Sequence, residues 1–276
     1  MIKKFVVKAL NEDLGRGDLF EIISYPKEAT AKIISKDSGV FAGEIYAKEL
    51  CKYLNCEIDL LTQDGKSIKN GDTLAKLKGD TNSLLKLERT LLNLLQHASG
   101  IATNTQKYVK KIENLNVVLL DTRKTRPLLR NFEKYAVRCG GAHNHRFGLD
   151  DALMLKDTHL AILKDLKNSV QKARQLLPFT TKIEVECENL DQAKEAFLAG
   201  VDIIMCDNMS LSEIKKVVKL KDEKYPHVKL EASGGISLEN IEIIAKSGVD
   251  AISVGSLIHQ AKWLDFSMKM EPFNGR

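Results

Sequence analysis

From residue 117 onward the chain repeats one unit: a short apolar run, a polar or glycine-bearing turn, then a mixed segment of helical length. The runs are VVLLD (117–121), ALMLKD (152–157), KIEVECE (182–188), DIIMCDN (202–208), VKLEASGG (228–235) and DAISVGS (250–256). Alternating strand and helix units predict parallel strands joined by right-handed crossovers, hence an α/β barrel or a doubly wound sheet. Polar residues close every run, and this favours a barrel, whose strand ends share one face. The chain before position 80 reads as α+β: strand-like pieces at 31–34 and 73–77 lie between turn signals such as Asp64-Gly65 and Asn70-Gly71-Asp72. Between the two textures, Leu84, Leu87, Leu91, Leu94, Leu95 and Ala98 recur at helical spacing and predict a helix over 83–112. Gly100 would permit a break in it, and the helix would act as a hinge between the halves.

The strand ends carry the candidate chemistry. DTRKTRPLLR (121–130) brings Arg123, Lys124, Arg126 and Arg130 together just past an apolar run, as either a solvated loop or an anion site. In KIEVECE, a period of two puts Glu184 and Glu186 on one side and Ile183, Val185 and Cys187 on the other. If the apolar side meets the helices, two carboxylates face inward, where they need cations or a metal. Lys124, Arg146 and Lys156 can supply the charge, in a functional site or in a structural ion-pair network. The glycines of SGGI (233–236) and SVGS (253–256) follow two successive late strands, where many such barrels bind phosphate. GGAHNHRFGLDD (140–151) adds His143, His145 and Arg146, read as anion donors or a satisfied turn rather than metal ligands, because their neighbours are basic.

Composition narrows the classes. A formal charge of +5, with 42 Lys+Arg against 37 Asp+Glu, is mild, and 6% aromatic residues offer few stacking platforms, so nothing prompts a nucleic-acid binder. No apolar run reaches the ~20 residues of a membrane span. The opening MIKKFVVKAL is interrupted by Lys8 and then by Glu12 and Asp13, too soon for a signal-peptide core. Cys51, Cys56, Cys139, Cys187 and Cys206 are odd in number and scattered, which predicts reduced thiols in a cytoplasmic protein.

DTRKTRPLLR, GGAHNHRFGLDDALMLKDTH, IEVECE, MCDNM, EASGGI and GVDAISVGSLIH stand in the order and spacing of quinolinate phosphoribosyltransferase, which the chain resembles over nearly its whole length. NEDLGRGDLF (11–20), GVFAGE (39–44) and KLERTLLNLLQHASGIAT (86–103) resemble that family too. The resemblance implies an N-terminal α/β sandwich (1–100, joined by 264–276) and an incomplete, open α/β barrel (101–263). The implied reaction joins quinolinate to phosphoribosyl pyrophosphate, with Mg2+, to give nicotinate mononucleotide, pyrophosphate and carbon dioxide for NAD synthesis. By resemblance, Arg123, His145, Arg146 and Lys156 hold quinolinate, and Arg89 reaches in from the partner of a homodimer or larger assembly with shared sites. Lys124 faces the phosphoribosyl donor, Glu186 and Asp207 organise ribose and magnesium, and Ser233, Gly234, Gly235, Gly255 and His259 hold phosphates. Lys124, Lys156, Glu186 and Asp207 form the implied catalytic set.

The chain departs from the family pattern at Arg126-Pro127-Leu128, where Thr-Pro-Gly is commoner, at Thr158 in place of Asn, and at Ile258-His259-Gln260. Arg126 could tighten substrate binding or face solvent. Two other enzyme-like readings compete: a paralogue associated with molybdate transport, against which the intact RKT and NHR segments argue, and a Schiff-base aldolase using Lys156.

Overall fold

The computed structural model describes residues 1–271. In chain order the strands are β1 (Glu28–Ser35), β2 (Gly39–Val40), β3 (Glu57–Leu60), β4 (Ser67–Ile68), β5 (Thr73–Asp80), β6 (Val118–Leu120), β7 (Leu153–Leu155), β8 (Ile183–Cys187), β9 (Ile203–Asp207), β10 (Lys229–Ser233), β11 (Ala251–Ser253) and β12 (Phe266–Met270). The helices are α1 (Ile2–Leu14), α2 (Glu44–Tyr53), α3 (Thr81–Ile112), α4 (Arg130–Cys139), α5 (Asp157–Leu160), α6 (Leu166–Leu176), α7 (Leu190–Ala199), α8 (Leu211–Lys224), α9 (Ile241–Ala245) and α10 (Ser256–His259). Two compact units result. One holds Met1–Gln106, Tyr135–Gly141 and the chain from Gln260; the other holds Lys107–Lys134 and Ala142–His259. The expected boundaries at 100 and 264 thus stand a few residues from the observed ones, and α4 contributes to both units. Residues 272–276 of the C-terminal segment lie outside the described residues.

The first unit is built on an antiparallel sheet of order β12-β1-β5-β3. Along β1, Ala29, Ala31, Ile33 and Ser35 are buried while their neighbours are more exposed, as period-two alternation requires. In α3, Leu84, Leu87, Leu91, Leu95 and Ala98 make one buried stripe, and the Gln96 side chain donates to the Phe266 carbonyl of β12 at 2.8 Å. The expected break at Gly100 is absent: α3 is continuous over 32 residues. Glycine is needed there for another reason, since a Cβ would overlap the Lys262 carbonyl.

The second unit is a six-stranded parallel sheet of order β6-β11-β10-β9-β8-β7. From β7 to β11 each strand pairs with the next in sequence, and β11 pairs with β6. The β6–β7 pair that would close a barrel is absent among the described residues; a single parallel bridge, Leu120 to His143, stands at that edge of β6. This is the incomplete, open α/β barrel. Ile183, Val185, Cys187, Ile204, Cys206, Leu230 and Ile252 are fully buried strand residues. The polar residues after the runs start helices: Asp165 accepts from the Asn168 N–H before α6, Asn189 from Asp191 and Gln192 before α7, and Ser210 with Glu213 forms a capping box on α8. At the strand ends Ser233 is in register with Asp207, and Ser253 with Leu120.

Candidate active site

A cavity of about 620 Å³ opens at the C-terminal ends of these strands. Arg123 and Lys124 enter it from the loop after β6, His145 and Arg146 from the loop after α4, and Lys156 from the end of β7. Opposite them stand Glu186 of β8, Asp207 of β9, Ser233 of β10 with Gly234 and Gly235, and Ser253 of β11. One wall is therefore cationic. The other mixes carboxylates with glycine-bearing turns.

The cationic wall is held under electrostatic tension. Arg146 is only 9% exposed. Its Nη1 donates to the Ala152 carbonyl at 2.9 Å, and burial, then the nearby Arg123, push its pKa below the usual guanidinium range. The buried Nε of Arg123 has no partner among the described residues. Glu184 and Asp151 attract Arg146 in turn, but neither guanidinium makes an ion pair among the described residues, and an anion bound between the two would stabilise both. Lys156 differs: its Nζ lies 2.6 Å from Glu186, so the carboxylate reserves that ammonium until substrate competes. The backbone N–H of Lys156 donates to His159 Nδ1 at 3.0 Å, which leaves His159 Nε2 as the free nitrogen beside the cavity.

On the other wall, the Asn208 side chain donates to Asp207 at 2.6 Å and its backbone N–H to the Ser233 carbonyl at 2.9 Å. Asn208 has a φ of 52° and Gly234 one of 84°. A Cβ on Gly234 would sit 2.8 Å from the Asn208 nitrogen and would overlap the Asn208 side chain. Glycine at 234 is thus required twice, by its left-handed backbone and by the close approach of the β9 end. Gly255 and His259 do not line the cavity, but they adjoin it: a Cβ on Gly255 would lie 2.9 Å from Lys124 Cδ and 3.3 Å from His259 Nε2.

Three expectations need correction. Glu184 meets none of Lys124, Arg146 or Lys156 in an ion pair; its partner is His145, whose Nε2 is 3.3 Å from Glu184 and 3.3 Å from Glu231. Arg126 neither faces substrate nor stands free in solvent: its backbone N–H and Nη1 both bind the fully buried Glu133, at 2.9 and 2.7 Å. Leu128, where glycine is commoner, keeps the left-handed turn with a φ of 65° while 96% exposed, so the loop retains its shape at some strain. Arg89 is exposed on α3, is not among the residues lining the cavity, and has no ion-pair partner, Glu88 included, among the described residues.

Glu231, His159, Asn208, Asp121 and Lys134 were not singled out as site residues. Glu231 was legible in principle, because VKLEASGG places it two residues before Ser233 and so on the same inward face. Asp121, grouped with the cationic loop by sequence, turns away from the cavity lining and is fully buried against Lys134.

His145, Glu184 and Glu231 bring three ligand atoms within 4.8 Å of one another, so they could surround a metal ion. A proton serves the same end here. Burial opposes the charge on His145, but hydrogen bonds and attraction from both carboxylates outweigh it and push the imidazole up to about 10. Burial, reinforced by Glu231, raises the Glu184 carboxyl above its usual range. His145 binds its proton more tightly in the folded chain, so its contribution to stability is complete below the unfolded histidine value and is lost as pH rises toward 10. The urea midpoint of the wild type should fall between pH 6.5 and 9, with the gap between it and His145→Gln narrowing over that range. An unchanged gap would show that His145 is not held charged.

Comparisons with known proteins identify the family. Residues 18–99 match the family described as quinolinate phosphoribosyl transferase, N-terminal domain, and residues 101–269 match its C-terminal domain. A Bacillus subtilis protein named probable carboxylating nicotinate-nucleotide pyrophosphorylase is 42% identical over 270 residues, covering 97% of this chain and 92% of that protein. The rat carboxylating nicotinate-nucleotide pyrophosphorylase is 34% identical over 263 residues, with 95% and 88% covered. Among solved structures, the nicotinate-nucleotide pyrophosphorylase from Francisella tularensis superposes with a TM-score of 0.91 at 38% identity, covering 98% of this chain and 96% of that one.

Proposed function

This chain belongs to the quinolinate phosphoribosyltransferase family, and from that premise we infer how its cavity works. The enzyme transfers the phosphoribosyl group of phosphoribosyl pyrophosphate to quinolinate with decarboxylation, giving nicotinate mononucleotide, pyrophosphate and carbon dioxide, a step of NAD biosynthesis. The observation that carries the site assignment is the pair Arg123 and Arg146: two guanidinium groups close enough to repel, beside the cavity, with Glu184 and Asp151 attracting Arg146 only from beyond ion-pair distance. Quinolinate brings two adjacent carboxylates, and planar bidentate donors suit them. His145, held between Glu184 and Glu231, and Lys156 complete the carboxylate-binding set.

Lys124 lies between this set and Gly255, with His259 adjoining, and Ser233, Gly234 and Gly235 face it from β10. These residues take the phosphates of the donor, with Glu186 and Asp207 facing the ribose. The quinolinate ring nitrogen attacks the anomeric carbon as pyrophosphate leaves; the cationic ring then stabilises the electron pair left on the ring carbon as carbon dioxide departs, and a proton from water takes that position to give nicotinate mononucleotide. The cations that hold the acid in the ground state also orient its nitrogen. Positioning and preorganised charge therefore supply most of the catalysis.

The donor set also fits Mg2+. Glu186 and Asp207 present hard oxygen ligands on adjacent strands, and such sites hold the ion mainly through water and substrate oxygens. Bound there, magnesium would supply charge against the leaving pyrophosphate. Asp207→Ala should raise the magnesium concentration for half-maximal rate; a titration superimposed on that of the wild type would remove Asp207 from this role.

Arg89 is not among the residues that line the cavity of its own chain, and we infer that it serves the site of a second copy in a homodimer. No helix among the described residues is long and apolar enough to cross a membrane. All five cysteines are free thiols, which supports a cytoplasmic location. The competing aldolase reading would need Lys156 as a free amine, but Glu186 engages it at 2.6 Å.

Nicotinate tests the reading of the pocket. It lacks one carboxylate and would leave buried cations without partners, so its kcat/KM should fall by more than about a hundredfold against quinolinate. Comparable turnover of the two acids would refute a dicarboxylate pocket.

A further inference from the structure

The loop bearing His145 and Arg146 is anchored by a fully buried ion pair that touches neither the cavity nor the substrates. Lys134 and Asp121 are both 0% exposed, with Nζ 2.5 Å from the Asp121 carboxylate. The lysine also donates to the His145 carbonyl at 2.8 Å. The same Asp121 oxygen accepts from the His145 N–H at 2.8 Å. The ion pair therefore grips residue 145 through both of its backbone polar groups. Asn144 completes the network, donating to the other Asp121 oxygen at 2.6 Å and to the Lys134 carbonyl at 2.9 Å.

The location gives this network its meaning. It lies where β6 lacks a closing partner, and the backbone of His143 fills that edge with hydrogen bonds of 2.9 Å to Leu119 and 3.2 Å from Asp121. Asp121 is also the residue from which the chain runs directly into Thr122, Arg123 and Lys124. One carboxylate thus joins two loops: the loop carrying Arg123 and the loop carrying His145 and Arg146. Among the described residues no strand pair spans that opening, and the Leu120–His143 bridge is the single backbone bridge there. An apolar pair of similar size could fill the space, but it could not satisfy the His145 peptide on both sides.

We propose that Lys134 and Asp121 are positioning residues that set the spacing of Arg123 against His145 and Arg146, and so determine the affinity for the dicarboxylate substrate. This rests on the reading that those three cations hold quinolinate. In the same reading the phosphoribosyl donor shares only Lys124 with that loop, and its other groups, after β9, β10 and β11, lie outside the network. Loosening the anchor therefore affects the dicarboxylate, held by three cations on the two joined loops, more than the donor. A shift on the order of 1 Å in a binding group is enough to cost a large factor in productive binding.

The test is steady-state KM for both substrates in Lys134→Met, Asn144→Ala and Arg146→Lys. Lys134→Met should raise KM for quinolinate about tenfold or more, and Asn144→Ala about threefold, each leaving KM for phosphoribosyl pyrophosphate within about twofold of the wild type. Lys134→Met leaves a buried carboxylate unpaired and can fail to fold; Asn144→Ala keeps the ion pair and then decides alone. Loss of thermal stability with both KM values unchanged, or raised together, would overturn the inference by reducing the network to a structural role. Arg146→Lys separates the two levels of the argument: an unchanged quinolinate KM there would overturn the carboxylate assignment and this inference with it. A raised value there, beside unchanged values in the network variants, would overturn this inference alone.

Discussion

Arg146→Ala is expected to weaken quinolinate binding by about 2–5 kcal/mol while leaving the fold and donor binding intact. The guanidinium is nearly buried, and its charge is opposed by burial and by Arg123. The guanidinium donates to a backbone carbonyl, that of Ala152. The folded chain therefore loses little on its removal, because relief of repulsion offsets the lost contact. The complex loses more: a substrate carboxylate carried into the cavity would face one guanidinium where it needs two, and an under-neutralised anion in a poorly hydrated site is costly. Lys156→Ala should fall in the same range, at its lower end, since the lysine must first be freed from Glu186 at 2.6 Å. Calorimetric titration with quinolinate measures both. Wild-type affinity in Arg146→Ala would place the carboxylates elsewhere.

Arg89→Ala and Arg146→Ala should each be nearly inactive alone, and a mixture of the two should regain activity. If Arg89 acts on a second chain, a heterodimer of the two variants has one site carrying both lesions and one carrying neither. Random mixing in equal amounts makes half the dimers mixed, so about a quarter of all sites should work. If Arg89 acts within its own chain, every site keeps one lesion and mixing restores nothing. The experiment needs reversible dissociation with subunit exchange confirmed by mass, so that a null result counts against the shared site. Arg89 is exposed, so its replacement disturbs no core.

Much of the barrel was legible because its strands obey local rules. Each of the six runs from VVLLD to DAISVGS contains an observed strand, and each is ended by a residue whose side chain caps a helix or whose backbone turns. Period-two alternation in KIEVECE placed Glu184 and Glu186 on the inward face, and both are found engaged there. What alternation could not supply was the partner. His145 lies 39 positions before Glu184 in the numbering and Glu231 47 after it, and only the tertiary fold brings them together. Lys134 was hidden differently: its stretch, FEKYAV in α4, reads as an ordinary amphipathic helix, and nothing local marks a lysine as fully buried. Gly100 was misread because a glycine inside a helix looks the same whether it allows a bend or makes room for a neighbouring backbone.

The most direct measurement is carbon dioxide release from quinolinate labelled in the carboxylate next to the ring nitrogen. The cationic ring that stabilises decarboxylation exists only after ribosyl transfer. Release should therefore require quinolinate, phosphoribosyl pyrophosphate and magnesium together, with one pyrophosphate and one nicotinate mononucleotide formed per carbon dioxide. Release from quinolinate alone, or ribosyl transfer without release, would contradict the account.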